Sequence, residues 1–152
     1  MTGMNKPWGR AVAAAILIAV SSNSGACAKP DRSFRAFLTR FKSDVAFQRQ
    51  RIVDPLIVSA SEPDANGVMK EERTALSAAQ VRDRREGIIR GPAEAAKLRA
   101  GEGRLCERGP VVRGHRATFT QYSCHTDVYG DTYEFARRDG CWYLERLSTS
   151  GA

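Results

Sequence analysis

The stretch that decides the fold is SFRAFLTRFKSDVAFQRQRIVDPLIVSA, residues 33–60. Phe34, Phe37, Leu38 and Phe41 recur at i, i+3, i+4 and i+7, which puts all four on one face of a helix. Ser33 precedes them and can cap that helix through its hydroxyl. Ser43 is expected to cap a second, shorter helical turn carrying Val45 and Phe47. Pro55 cannot continue a helix, and Leu56-Ile57-Val58 after it reads as a strand. The block therefore predicts helix, short helix, strand.

Upstream, Lys6 and Arg10 form a basic region ahead of the apolar run AVAAAILIAV, residues 11–20. That run is shorter than the roughly 20 residues a membrane helix needs. Ala26-Cys27-Ala28 fits a small-x-small cleavage site, so residues 1–28 read as a secretion signal with Ala28 at the cut. Cys27 supports a second reading. Lipoprotein processing also cuts after small residues and lipidates the next cysteine, and Ser24-Gly25-Ala26-Cys27 has the small residues, although Ser24 stands where an aliphatic one is usual. Both readings place the protein outside the cytoplasm: periplasmic or otherwise extracytoplasmic, with a lipid anchor on Cys27 in the second case. Neither leaves a membrane span in the mature chain.

Residues 29–152 then form a single domain, long enough to bury a real core. Losing the signal lowers the formal charge from +7 to +5, since Lys6 and Arg10 go and no acid does. The arginines are scattered, without a basic run or interleaved aromatics, which argues against nucleic acid as a partner. Three cysteines remain: Cys106, Cys124 and Cys141. An exported protein can keep a disulfide. The absence of Cys-x-x-Cys or His-x-x-x-His spacing gives no metal site, and no motif calls for a cofactor.

The middle of the chain is less legible. SEPDANG, residues 61–67, is turn-rich. Residues 68–76 form a partly polar second strand, 77–85 a short basic helix, and 92–100 a helix opened by Pro92 and ended by Gly101. The C-terminal third is clearer. HRATFTQYSC (115–124), DTYEFAR (131–137) and CWYLERL (141–147) read as strands, the last with Trp142, Leu144 and Arg146 on one face and Cys141, Tyr143 and Glu145 on the other. Asp139-Gly140 is a strong hairpin signal. It sets Arg138 opposite Cys141, Ala136 opposite Tyr143 and Phe135 opposite Leu144, in a three-stranded antiparallel meander. In that register Cys141 lies at the turn end and Cys124 at the other, so those two are the least suited to pair. A strand at 104–107 folding back along 115–124 through Gly109-Pro110 favours Cys106–Cys124. The third thiol then packs as a small hydrophobe.

Helices followed by an antiparallel sheet make an α+β layout. From Phe34 to Leu56 the pattern F-x-x-F-L-x-x-F-x-x-D-x-x-F-Q-x-x-R-I-x-x-P-L resembles a family of bacterial exported lipoproteins of unknown function with a nuclear transport factor 2-like fold. The ending YEFARRDGCWYLERL, residues 133–147, is similar to the last hairpin of many such domains, where Gly-x-Trp-x-Leu is common. The resemblance implies N-terminal helices packed in the hollow of a curved antiparallel sheet, a cone that often holds a pocket. Fold alone carries no activity.

Catalytic domains of that fold commonly set an Asp–His or Tyr–Asp pair inside the cone. His115, His125, Asp127, Asp131, Tyr122, Tyr129 and Tyr133 are available here. His125 and Asp127 lie two apart and share a side of an extended segment, which lets a carboxylate orient an imidazole. They are the catalytic candidates, although loop His and Asp are ordinarily solvent-exposed turn residues. His115 is expected to open a strand. Asp44 is placed to cap the second helix, and Arg51 to pair with a carboxylate or with carbonyls at a helix C-terminus. No phosphate loop or nucleophile elbow is present. The sequence thus points to a non-catalytic domain binding a small molecule or an envelope protein. The alternatives are a small-molecule lyase, isomerase or hydrolase using a cone-shaped pocket, and an immunity or inhibitor protein against a secreted toxin.

Overall fold

The structure is a computed structural model that describes residues 27–83, 88–89, 105–125 and 130–150. Helix α1 spans Phe34–Ser43 and α2 spans Val45–Gln50. Strands β1 (Ile52–Pro63) and β2 (Met69–Leu76) follow, then α3 (Ala78–Asp83). The C-terminal strands are β3 (Leu105–Arg113), β4 (Arg116–Ser123), β5 (Gly130–Arg138) and β6 (Cys141–Ser150). The helix expected over 92–100 lies outside the described residues.

Local chemistry explains the first elements. The Ser33 hydroxyl accepts from the Ala36 N–H at 3.2 Å and starts α1. Asp44, not Ser43, caps α2, with its Oδ1 accepting from the Phe47 N–H at 2.9 Å. Ser43 is still helical, and its hydroxyl turns back to the Thr39 carbonyl at 3.1 Å. A carboxylate one residue later outcompetes it as a cap because it accepts without also seeking an acceptor. Ser77 and Gln80 form a reciprocal capping box at α3, with Ser77 N–H to Gln80 Oε1 at 2.8 Å and Gln80 N–H to Ser77 Oγ at 3.3 Å.

The six strands form one curved sheet in the order β2-β1-β6-β5-β4-β3. It is mixed, and the all-antiparallel expectation is corrected at one place: β1 runs parallel to β6. The Asp139-Gly140 turn sets the expected pairs, with Arg138 opposite Cys141, Ala136 opposite Tyr143 and Phe135 opposite Leu144. Asp139 (φ 50°) and Gly140 (φ 81°) are both left-handed, as a two-residue hairpin of this type requires.

A bulge then changes the facing of β6. Glu134 pairs with Arg146 while Phe135 pairs with Leu144, so Glu145 is an extra residue. Trp142 and Leu144 stay in the core, Leu147 joins them, and Arg146 swings out to Glu134 at 3.7 Å. The expected grouping of Arg146 with Trp142 and Leu144 fails for this reason. The β3–β4 connection is also corrected. The chain turns at Gly114-His115, and Gly109-Pro110 sits within a register shift of β3. Pro110 lacks a ladder N–H, and an edge strand tolerates that where a central one does not.

Candidate functional site

The inner face of the sheet has two unlike ends. Toward the Asp139-Gly140 turn it is aromatic. Phe34, Phe37 and Phe41 of α1 lie with ring centroids 5.2–5.6 Å from Phe135, in edge-to-face geometry. Phe34 also meets Trp142 edge-on at 5.0 Å. These side chains, with Phe47, Leu38 and Leu144, are buried and leave no chemistry exposed. Beneath them Arg51 and Asp31 form a nearly buried ion pair at 3.1 Å. Asp31 Oδ2 also accepts from the Trp142 N–H at 2.8 Å, and Arg51 donates to the Trp142 carbonyl at 3.4 Å. Phe47 and Tyr143 flank the guanidinium at 5.0 and 5.4 Å. The expected Arg51 pairing with a carboxylate thus has its partner in the segment before α1.

Toward Gly130 the same face turns polar, row by row across the strands. Ala117 and Phe135 are opposite one another, then Phe119 and Tyr133, then Gln121 and Asp131, with Glu107 of β3 opposite Gln121. Side chains two apart on a strand share a face, so the apolar row passes into an amide, a phenol and two carboxyls with no change of side. The Tyr133 hydroxyl lies 3.2 Å from Gln121 Oε1, 3.5 Å from Asp131 Oδ2 and 3.5 Å from the Ile88 carbonyl. The Gln121 amide donates to Glu107 at 3.1 Å. Lys42, one residue beyond the aromatic stripe of α1, reaches Glu107 at 2.6 Å and sits 5.2 Å from the Phe119 ring centroid. Gln48 of α2 is buried and holds Ile88-Ile89 across the face, accepting from the Ile88 N–H at 2.8 Å and donating to the Ile89 carbonyl at 3.4 Å. Among the described residues every buried side-chain nitrogen and oxygen has a partner.

The polar end is a hydrogen-bonding cluster with donors and acceptors side by side: Gln121 and Tyr133 are buried, and Glu107 and Lys42 form its more exposed margin. Of the residues considered from sequence, it brings together Asp131 and Tyr133. His125 is exposed, and Asp127 and Tyr129 lie outside the described residues. His115 does not open β4. It is the second residue of the exposed turn, and its carbonyl accepts from the Arg137 N–H at 2.7 Å. Sequence reasoning misses Gln121, Glu107 and Lys42, and gives Gln48 only a place in the family pattern from Phe34 to Leu56. Gln121 had a signal: it continues the Ala117, Phe119 alternation in phase, so it is a polar residue in a buried register.

Two disulfides staple opposite ends of this sheet. Cys106 is joined to Cys124 beside the polar end, with Cα atoms 5.2 Å apart. Cys141 is joined to Cys27 beside the aromatic end, with Cα atoms 6.2 Å apart. The expectation of a leftover thiol is corrected: Cys141 has a partner, in a residue that a cut after Ala28 discards.

A nuclear transport factor 2-like protein from Bacteroides fragilis superposes with a TM-score of 0.54 at 16% identity, over 82% of this chain and 49% of its own. The chain has a nuclear transport factor 2-like fold. It spans about half the length of that structure. A nuclear transport factor 2-like protein of unknown function from Shewanella baltica superposes with a TM-score of 0.43 at 10% identity, over 80% of this chain and 100% of its own. No family model matches the chain, and no curated protein matches it. In nuclear transport factor 2-like terms, α1 and α2 fill the hollow of the sheet, and the polar rows lie beside them on its inner face.

Proposed function

We propose that this chain is an exported, extracytoplasmic binding domain that receives a small molecule or a segment of an envelope protein at the polar end of its inner face, without transforming it. The observation that carries this reading is the hydrogen-bonding network that links Gln121, Tyr133, Asp131, Glu107 and Lys42. Its groups hold one another in place, which suits orientation of a ligand better than proton transfer. The basic-then-apolar leader and the two disulfides support an oxidising compartment.

One observation favours the catalytic alternative. A phenol 3.5 Å from a carboxylate, with a lysine nearby, is a workable acid–base set for a lyase or isomerase. The two readings separate experimentally. Small molecules of an envelope extract are screened by native mass spectrometry against the wild type, Gln121→Leu and Tyr133→Phe. A binding domain loses its ligand in both variants and returns every bound compound unchanged. A compound released chemically altered by the wild type, and unaltered by Tyr133→Phe, overturns the binding reading.

A further inference from the structure

The segment before α1 is held to the β5–β6 turn through Cys27, Lys29, Pro30 and Asp31. The Asp31 N–H donates to the Gly140 carbonyl at 3.0 Å, and the Asp31 carbonyl accepts from Arg137 at 3.2 Å. The Asp31 carboxylate holds both Arg51 and the Trp142 N–H. Pro30 packs so closely on Gly140 that a Cβ there would lie 3.0 Å from the proline ring. Cys141 Sγ lies 3.6 Å from the Lys29 carbonyl and is completely buried. The Cα separation of Cys27 and Cys141, 6.2 Å, is within disulfide range.

We infer that Cys27 belongs to the mature domain as the disulfide partner of Cys141, that export processing cuts between Ala26 and Cys27, and that Cys27 carries no lipid. The inference rests on the export reading above. Ser24-Gly25-Ala26 supplies a small-x-small site directly before Cys27, so the cut needs no sequence beyond what is present. A cut after Ala28 discards Cys27 and leaves Cys141 a buried thiol. A thioether-linked lipid on Cys27 uses the same sulfur as the bridge, so lipidation and the disulfide exclude one another. In forming the bridge, the two thiols lose two protons and two electrons and one S–S bond forms. The electrons pass to the disulfide of an extracytoplasmic thiol–disulfide exchange protein, which leaves as a dithiol.

The test is non-reducing intact-mass measurement and peptide mapping of the full chain expressed with its leader and recovered from the envelope. The expected product begins at Cys27, carries no added mass, and yields a Cys27–Cys141 linked peptide beside Cys106–Cys124. A start at Lys29, or a diacylglyceryl mass on Cys27, overturns the inference while leaving export intact. A cytoplasmic product retaining Met1 overturns the export reading and the cut together. A Cys27–Cys141 link mapped in that product after oxidation in air still supports the bridge, and its absence after oxidation overturns it. As a second measurement, Cys27→Ser, Cys141→Ser and the double variant each lose the same roughly 10 °C of Tm, since each removes one bridge closing most of the chain. An unchanged Tm in Cys27→Ser overturns the bridge.

Discussion

The two ends of the inner face meet their polar groups differently. At the aromatic end the polar atoms belong to one knot, Asp31–Arg51–Trp142, sealed beneath Phe34, Phe47 and Tyr143. At the polar end they form a row across three strands, Glu107–Gln121–Asp131, spanned by Tyr133 and Lys42. The first end is built to hold the chain together. A buried charge pair with all its hydrogen bonds made is costly to break and offers nothing to a ligand. The second end has the same degree of satisfaction but a variety of group types in one cluster, whose margin at Glu107 and Lys42 is the part open to solvent, and that variety is what recognition uses. Burial alone does not distinguish them, since Gln121 is as buried as Phe135.

The sharpest test of this contrast is removal of an aromatic. Phe41→Ala takes away a fully buried ring that meets Phe37 and Phe135 at 5.3 and 5.4 Å. Its denaturant midpoint should fall by the equivalent of about 3–5 kcal/mol. A loss under about 1 kcal/mol belongs to a surface position and would break the assignment of this end to stability. Asp31→Ala should cost nearly as much, about 3 kcal/mol, because Arg51 is left buried without its counter-charge and the Trp142 N–H loses its acceptor. Chemical denaturation followed by Trp fluorescence measures both.

At the polar end the effects should be smaller on stability and larger on recognition. Tyr133→Phe removes a hydroxyl that lies 3.2 Å from Gln121 Oε1 and should cost about 1 kcal/mol. Ligand loss in that variant, without matching loss in Asp31→Ala measured below its unfolding midpoint, would sharpen the division. Equal loss in both would dissolve it. The smallest effect is expected outside both ends. The hydrogen bond from Arg73 holds the Glu71 carboxyl below the usual carboxylate value, with the Ser59 hydrogen bond adding to this. That contribution is present above the usual value and lost as pH falls through the lowered one. Glu71 is exposed, so Glu71→Gln should unfold together with the wild type at neutral pH. A resolvable shift in its midpoint would show that this edge of the sheet matters more than solvent screening allows.

The segment before α1 carries no local signal of its role. Cys27, Pro30 and Asp31 carry no period and belong to no helix or strand. Their roles exist only because the β5–β6 turn arrives beside them, more than a hundred residues later in the chain. Glu145 is similar. Nothing in CWYLERL marks it as a bulge, because the alternation either side is intact and only the mismatch with Glu134 and Phe135 displaces it.

By itself the sequence determined what depends on neighbours within a turn or a pleat. The stripe Phe34, Phe37, Leu38, Phe41 needs only the helical period, and the final hairpin needs only two left-handed residues at Asp139-Gly140. The α+β layout followed from those pieces, and the nuclear transport factor 2-like reading came from the family resemblance carried by residues 34–56 and 133–147. Tertiary structure alone decided the parallel seating of β1 on β6, the Asp31–Arg51 knot, the partner of Cys141 and the row Glu107–Gln121–Asp131. Each of these joins residues far apart in the chain. Loop closure costs entropy that grows only slowly with length, so local signals do not rank one distant partner above another. Packing and register make that choice, and both exist only once the sheet has formed.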